Sequence, residues 1–119
     1  MSDIRKKRVE SLLQQELSQM LLKREVKDPR ISESVCISRI ETSRDLRYAK
    51  VYVVNYDIKV NMTDSVEALN HAAGFMQSLL GKRITIRHVP RLTFILDAGL
   101  EAGFRMTQKL KDLEIHDPE

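Results

Sequence analysis

LNHAAGFMQSLLGKRITIR, residues 69–87, is the stretch whose reading decides the fold. Val66 just upstream shares one helical face with Leu69 and Ala73; Phe75, Met76, Leu79 and Leu80 make a second short apolar run, and Gly74 stands at the join. The pattern predicts a helix, a kink and a second helix. Glycine inside a helix costs about 1 kcal/mol relative to alanine. Its place beside Ala72 and Ala73 therefore predicts a bend, or a close backbone approach that a larger side chain would prevent. Gly81 is expected to end the second helix, with Lys82 and Arg83 facing the partial negative charge of its C-terminus. From there Ile84 and Ile86 alternate with Arg83, Thr85 and Arg87, the period of a strand with one polar face.

Small residues at a helix bend are more often packing devices than ligand sites. The charge downstream favours a second use. Between Ala72 and Lys111 there are seven Lys or Arg (Lys82, Arg83, Arg87, Arg91, Arg105, Lys109, Lys111) against two acids (Asp97, Glu101), although the whole chain carries only +3. Such a local excess points to a polyanionic partner.

Upstream, Val9, Leu12, Leu13, Leu17, Met20 and Leu21 repeat at helical spacing behind a cap from Ser2 or Asp3, and Asp28-Pro29 is expected to stop this first helix. Its opening run Arg5, Lys6, Lys7, Arg8 lies at the positive end of the helix dipole, a placement that suits binding better than helix stability. Two strands follow, Ser34 to Thr42 and Arg47 to Tyr56, joined by the turn residues Ser43-Arg44-Asp45 into an antiparallel hairpin. Tyr48, Lys50, Tyr52, Val54 and Tyr56 alternate with Ala49, Val51 and Val53. A half-buried face is the commoner role of such tyrosines, and base stacking the rarer one. Thr63 or Asp64 is expected to cap the kinked pair. The strand opened at Arg83 runs to Leu96 with a break at Pro90, which implies an edge position or a bulge. Asp97 caps a last helix carrying Leu100, Phe104, Leu110 and Leu113.

The order helix, strand, strand, helix-kink-helix, strand, helix gives an α+β fold of two layers, with helices on one face of a three-stranded sheet. Residues 1–113 make one domain, and the acidic end 114–119 is expected to fray. With 42% hydrophobic and 31% charged residues the chain can bury one core and keep a heavily charged surface. No run reaches the roughly 20 apolar residues of a membrane span, and MSDIRKKR lacks the apolar core of a secretory signal, so a cytoplasmic protein is expected. The single cysteine, Cys36, lies in an apolar stretch and reads as a buried thiol. His71, His88 and His116 are scattered, no CxxC pair or HExxH occurs, and Gly81-Lys82 lacks the spacing and the hydroxyl residue of a phosphate-binding loop. No nucleophile elbow or marked carboxylate pair is present, so neither catalysis nor a metal or cofactor is expected.

Read together, these residues resemble the ribosome-binding factor A family. The likeness covers nearly the whole chain: the basic opening helix, Asp28-Pro29-Arg30-Ile31, Thr42-Ser43 with Asp45-Leu46, Ala49-Lys50-Val51-Tyr52-Val53, Leu69, Ala72-Ala73-Gly74-Phe75, Ser78-Leu79-Leu80-Gly81, Arg87-His88-Val89-Pro90, Leu92-Thr93-Phe94 and Asp97. Each motif is weak, and their joint order and spacing are specific. Gln77, Arg91 and Ala98-Gly99 depart from the family's pattern. The resemblance implies a type II KH-like fold whose GxxG loop is replaced by the kink at Ala72, Ala73 and Gly74. It also implies binding to the immature small (30S) ribosomal subunit and its rRNA, help with late 16S rRNA maturation and with growth in the cold, and a functional link to ribosome-assembly GTPases. No enzymatic step is implied.

The candidate RNA contacts are Arg5, Lys6, Lys7, Arg8, Lys82, Arg83, Arg87, Arg91, Arg105 and Lys109, on a chain expected to act as a monomer. A protein-binding adaptor using the sheet edge near Pro90, or the open sheet face with Tyr48 and Tyr52, is the alternative; it needs no RNA contact.

Overall fold

Seven elements follow one another: α1 (Ser2–Leu22), β1 (Val35–Thr42), β2 (Tyr48–Asn55), α2 (Met62–His71), α3 (Ala73–Arg83), β3 (Arg91–Leu96) and α4 (Ala98–Ile115). They come from a computed structural model that describes the backbone of residues 2–57 and 61–115 and the side chains of 4–57 and 61–111. The side chains of Ser2 and Asp3, on which the expected cap rests, that of Leu113, those of 114–115 and the whole of 116–119, with His116 and the rest of the acidic end 114–119, lie outside what is described.

The sheet runs β1-β2-β3, antiparallel between β1 and β2 and parallel between β2 and β3. Its covered face carries Ile37, Ile40, Val51, Val53, Leu92 and Phe94, packed in one core with Leu13, Leu17 and Met20 of α1, Leu69 of α2, and Ala73, Met76 and Leu80 of α3. Full burial of a side chain of Leu or Met size contributes about 1.5–3 kcal/mol, so the helical repeat of α1 and the alternation in β2 supply the main driving force. A bulge at Ser38 shifts the β1 register between Ile37 and Arg39, which is how Ile37 and Ile40 both reach the core despite their odd spacing. Tyr48, Lys50 and Tyr52 project from the opposite, open face. Val54 alternates with them yet is buried, because α4 packs on β2 at that end of the sheet.

The structure corrects several boundaries. First, α1 stops at Leu22, before Asp28-Pro29. Arg24 adopts φ 56°, Arg24 N donates to Leu21 O (3.2 Å), and Glu25 N donates to Met20 O (3.0 Å). This is a Schellman ending built on arginine rather than glycine. Neither Thr63 nor Asp64 caps α2; the Asn61 side chain does, accepting from Thr63 N at 2.8 Å.

The kink lies at Ala72, whose φ of −89° and ψ of 0° separate α2 from α3. Gly74 is inside α3 and exposed, and a Cβ there would meet nothing within 4 Å. The small residue that packing requires is therefore Ala73, which is buried, and no close approach explains the glycine. Gly81 does not end α3 either: the helix continues to Arg83, and a Cβ on Gly81 would make an ordinary 3.7 Å contact with Val89. Residues 84–90 form no strand. The ladder starts at the Tyr48–Arg91 pair, because β2 itself begins at the hairpin, and a residue before Arg91 has no strand beside it. Pro90 thus precedes β3 and does not interrupt it. Finally, α4 begins on Asp97, whose Oδ1 accepts from Leu100 N (3.2 Å), but Leu100 and Leu110 stay exposed and most of this helix lies outside the core.

Candidate nucleic-acid interface

Glu10 fixes the start of α1 against the sheet. Its carboxylate accepts from Thr42 N at 2.7 Å and from Thr42 Oγ1 at 2.9 Å, at the hairpin end of β1. Arg5, Lys6, Lys7 and Arg8 precede that anchor by less than two helical turns, and make no ion pair among the described residues. Thr42 pairs with Ala49, and Ala49 with Leu92, so Arg91 belongs to the same end of the sheet. Arg91 is exposed next to Tyr48 in register, and its backbone N–H donates to Arg47 O at 2.8 Å. Lys50, two residues along β2, shares the open face with both. Arg44 lies in the hairpin turn, exposed, and Arg47 at its exit is held loosely, at 3.7 Å, by Asp45.

The other candidates divide. Lys82 in the last turn of α3 and Arg87 in the connection to β3 are exposed and free of ion pairs among the described residues. Arg83 is not free: it forms a two-pronged ion pair with Glu25, from its Nη1 to Oε2 at 2.8 Å and from its Nη2 to Oε1. The pair holds the Glu25 carboxyl below the usual range and raises the Arg83 guanidinium further. Arg83 thus ties the end of α3 to the segment after α1. Arg105 pairs with Glu101 one turn earlier (3.1 Å), and both it and Lys109, which makes no ion pair among the described residues, belong to α4, which leaves from the opposite end of β3. At the kink, Ala72 is half-buried, Ala73 buried and Gly74 exposed, with Phe75 half-exposed beside them; α3 has no side-chain cap and no acid in its first turn. Its leading N–H groups are therefore left for solvent or a ligand.

Asp28-Pro29-Arg30-Ile31 is structural. Asp28 receives the Arg30 backbone N–H (3.0 Å) and guanidinium, which holds its carboxyl down, and the turn presents Arg30 O to the buried hydroxyl of Ser65 at 2.7 Å. On the open face the Arg39 guanidinium lies 3.8 Å from the Tyr52 ring centroid. A hydrogen bond to Glu41 pushes the Tyr52 phenol up. Asp97, whose Oδ2 lies 2.7 Å from Ser38 Oγ, is held low chiefly by that bond. Burial raises the Cys36 thiol. All these shifts carry the groups' titrations away from neutral pH, toward fixed charge for the acids and arginines and fixed neutrality for the thiol and phenol. Among the described residues no cluster of three metal-ligating side chains forms, and no helix is long and apolar enough to cross a membrane.

Both sheet edges are stoppered. Asn70 takes the place of a fourth strand along β3, accepting from Phe94 N (2.7 Å) and donating to Phe94 O (2.9 Å); Gln77 accepts from Leu92 N at 3.0 Å. Along β1, Glu10 occupies Thr42 N, and Gln14 reaches Ile37 O at 3.4 Å. An adaptor that adds a strand beside Pro90 would find those groups taken, which leaves the open face. The cations Arg39 and Lys50 on that face, and Arg44 and Arg47 at the hairpin turn, were not among the residues expected to bind. Alternation marked Lys50 as a neighbour of the tyrosines, but nothing local could show that Arg91 would lie beside Tyr48.

Known proteins were compared with the chain. The family model described as "Ribosome-binding factor A" matches residues 5–110. A protein of Dictyoglomus thermophilum named ribosome-binding factor A is 43% identical over 113 residues, covering 95% of this chain and 93% of the relative. The crystal structure of ribosome-binding factor A from Thermus thermophilus superposes with a TM-score of 0.67 at 24% identity, covering 76% of this chain and 93% of that one. Coordinates of the Thermus thermophilus factor fitted into a cryo-electron-microscopy map of a 30S complex give 0.54 at 24% identity, over 71% and 90% of the two chains.

Proposed function

Given that the chain belongs to the ribosome-binding factor A family, we propose that it binds the immature small (30S) ribosomal subunit through rRNA and assists late maturation and processing of 16S rRNA, including in the cold. In this reading it is a cytoplasmic, monomeric binding protein. It performs no chemistry of its own and works in functional connection with ribosome-assembly GTPases.

The observation that carries the reading is the gathering of unpaired cations at the hairpin end, where the start of α1, the hairpin and Arg91 meet. Phosphate contacts from such residues supply affinity without base selection, so the shape of folded rRNA supplies the selectivity. Lys82 and Arg87 add to the contacts. The kink offers exposed backbone in place of a GxxG clamp.

Cosedimentation with immature and mature small subunits across a salt series tests this. Log affinity is expected to fall linearly with log salt, by about 0.7–0.9 per phosphate neutralised. Crosslinks are expected from the hairpin end to rRNA. Binding that ignores salt, or crosslinks confined to ribosomal proteins, would sink the proposal.

A further inference from the structure

We infer that the open face of the sheet at Tyr48 is a stacking site for one unpaired base of single-stranded RNA, with Arg91 and Lys50 taking the adjoining phosphates. The inference rests on the rRNA-binding reading above and adds to it a site on the other side of the sheet from the kinked helices.

Three observations converge on Tyr48. The residue is 57% exposed although it belongs to a regular strand. Its backbone is clamped: Tyr48 N donates to Ser43 Oγ (3.0 Å), and Tyr48 O accepts from Ser43 N (2.8 Å), so the platform is ordered before any ligand arrives. Its neighbours on that face are cations without partners among the described residues, Arg91 directly across in register and Lys50 two residues along. Two residues of strand span roughly 6.6 Å, so the three side chains form one contiguous surface.

Tyr52 shows what an occupied ring looks like by contrast. Arg39 covers one side of it at 3.8 Å, and its phenol is engaged by Glu41. Within β2, Tyr48 is therefore the tyrosine left open as a platform. An aromatic ring flanked by cations suits a base and its backbone, because every base has a π-face and the phosphates on either side carry the charge. Duplex RNA keeps its bases stacked internally and offers nothing to that ring. An acidic peptide would satisfy Arg91 and Lys50 and leave Tyr48 without a role.

The test uses the full chain with a fluorescein-labelled 12-nucleotide oligouridylate and a 12-base-pair RNA duplex, followed by anisotropy. The protein has three tyrosines and no tryptophan, so quenching of tyrosine emission reports stacking directly. Tyr48→Ala is expected to weaken single-strand binding roughly tenfold, leave duplex binding within twofold, and keep the wild-type melting temperature. Tyr48→Phe should retain the affinity and lose the quenching. Lys50→Ala and Arg91→Ala should each lower the salt slope by roughly 0.7.

Single-strand affinity for Tyr48→Ala within twofold of wild type overturns the inference, as does an equal loss on duplex or unchanged quenching in Tyr48→Phe. If the wild type still cosediments with small subunits, only the stacking site falls. If the wild type binds neither subunits nor oligonucleotide, the rRNA reading falls with it. A 12-residue oligoglutamate that displaces the oligouridylate equally well from wild type and Tyr48→Ala would assign the face to acidic peptide and likewise overturn the inference.

Discussion

Arg83 and Arg91 belong to one basic stretch, eight residues apart, and they have opposite fates. Arg83 closes on Glu25, a residue 58 positions away, and joins the end of α3 to the segment after α1. Arg91 enters the sheet beside Tyr48, with its charge unmatched among the described residues. The contrast shows why a count of cations does not define a binding surface. A guanidinium already matched to a carboxylate must break that bond before it can meet a phosphate, whereas an unmatched one gives up only water and counterions.

The contrast is most strongly tested by reversing the free charges. Lys82→Glu, Arg87→Glu and Arg91→Glu combined are expected to weaken cosedimentation with small subunits by roughly a hundredfold at moderate salt, with the melting curve unchanged. Equal subunit binding by the triple variant would erase the distinction between the two arginines.

A smaller effect separates them one at a time. Arg91→Ala should cost about 1–2 kcal/mol of subunit affinity and reduce the salt slope by roughly one unit while stability stays within about 0.5 kcal/mol. Arg83→Ala should do the reverse, lowering the denaturation midpoint and sparing affinity. The drop will be modest, because both side chains of the pair keep contact with solvent. Urea titration and cosedimentation on the same two variants decide it.

The pH dependence sharpens the Arg83 side. Glu25 has its folded pKa depressed, so the pair's contribution is present above the ordinary glutamate range and is lost as pH falls through the folded value. The stability gap between wild type and Arg83→Ala should therefore be full at neutral pH and close in acid, as urea midpoints across that range would reveal. A gap that persists in acid would mean that Arg83 acts through packing. Smallest of all is Gly74→Ala. With open space at the Cβ and helical geometry around it, the substitution should raise stability by about 0.5–1 kcal/mol, read from the melting temperature.

Features set by short-range pattern were legible before any coordinates. Leu13, Leu17 and Met20 declared the buried face of α1, Ser43-Arg44-Asp45 declared the hairpin, and Asp97 declared the start of α4. The misreadings have a common cause in partners that are distant or unusual. Glycine was expected at helix ends, yet Arg24 adopts the left-handed conformation and Gly81 stays helical. Residues 84–87 alternate like a strand, but a ladder needs a neighbour, and β2 does not extend to where they would have to pair. The likeness to ribosome-binding factor A named the fold and the KH-like character, and neither depends on individual contacts. What the site looks like depends on a parallel register and on Glu25, and both bring together residues far apart in the chain.

Asn70 and Gln77 bear on how the protein behaves in a crowd. Parallel sheets leave their outermost strand able to recruit a stranger, and chains that do so grow into ordered aggregates. Here side-chain amides answer the outward main-chain groups of Leu92 and Phe94 before another molecule can. Copies at high local concentration would thus have no ready template along β3 for zipping together, and the safeguard adds no residues beyond two helical positions already facing that strand.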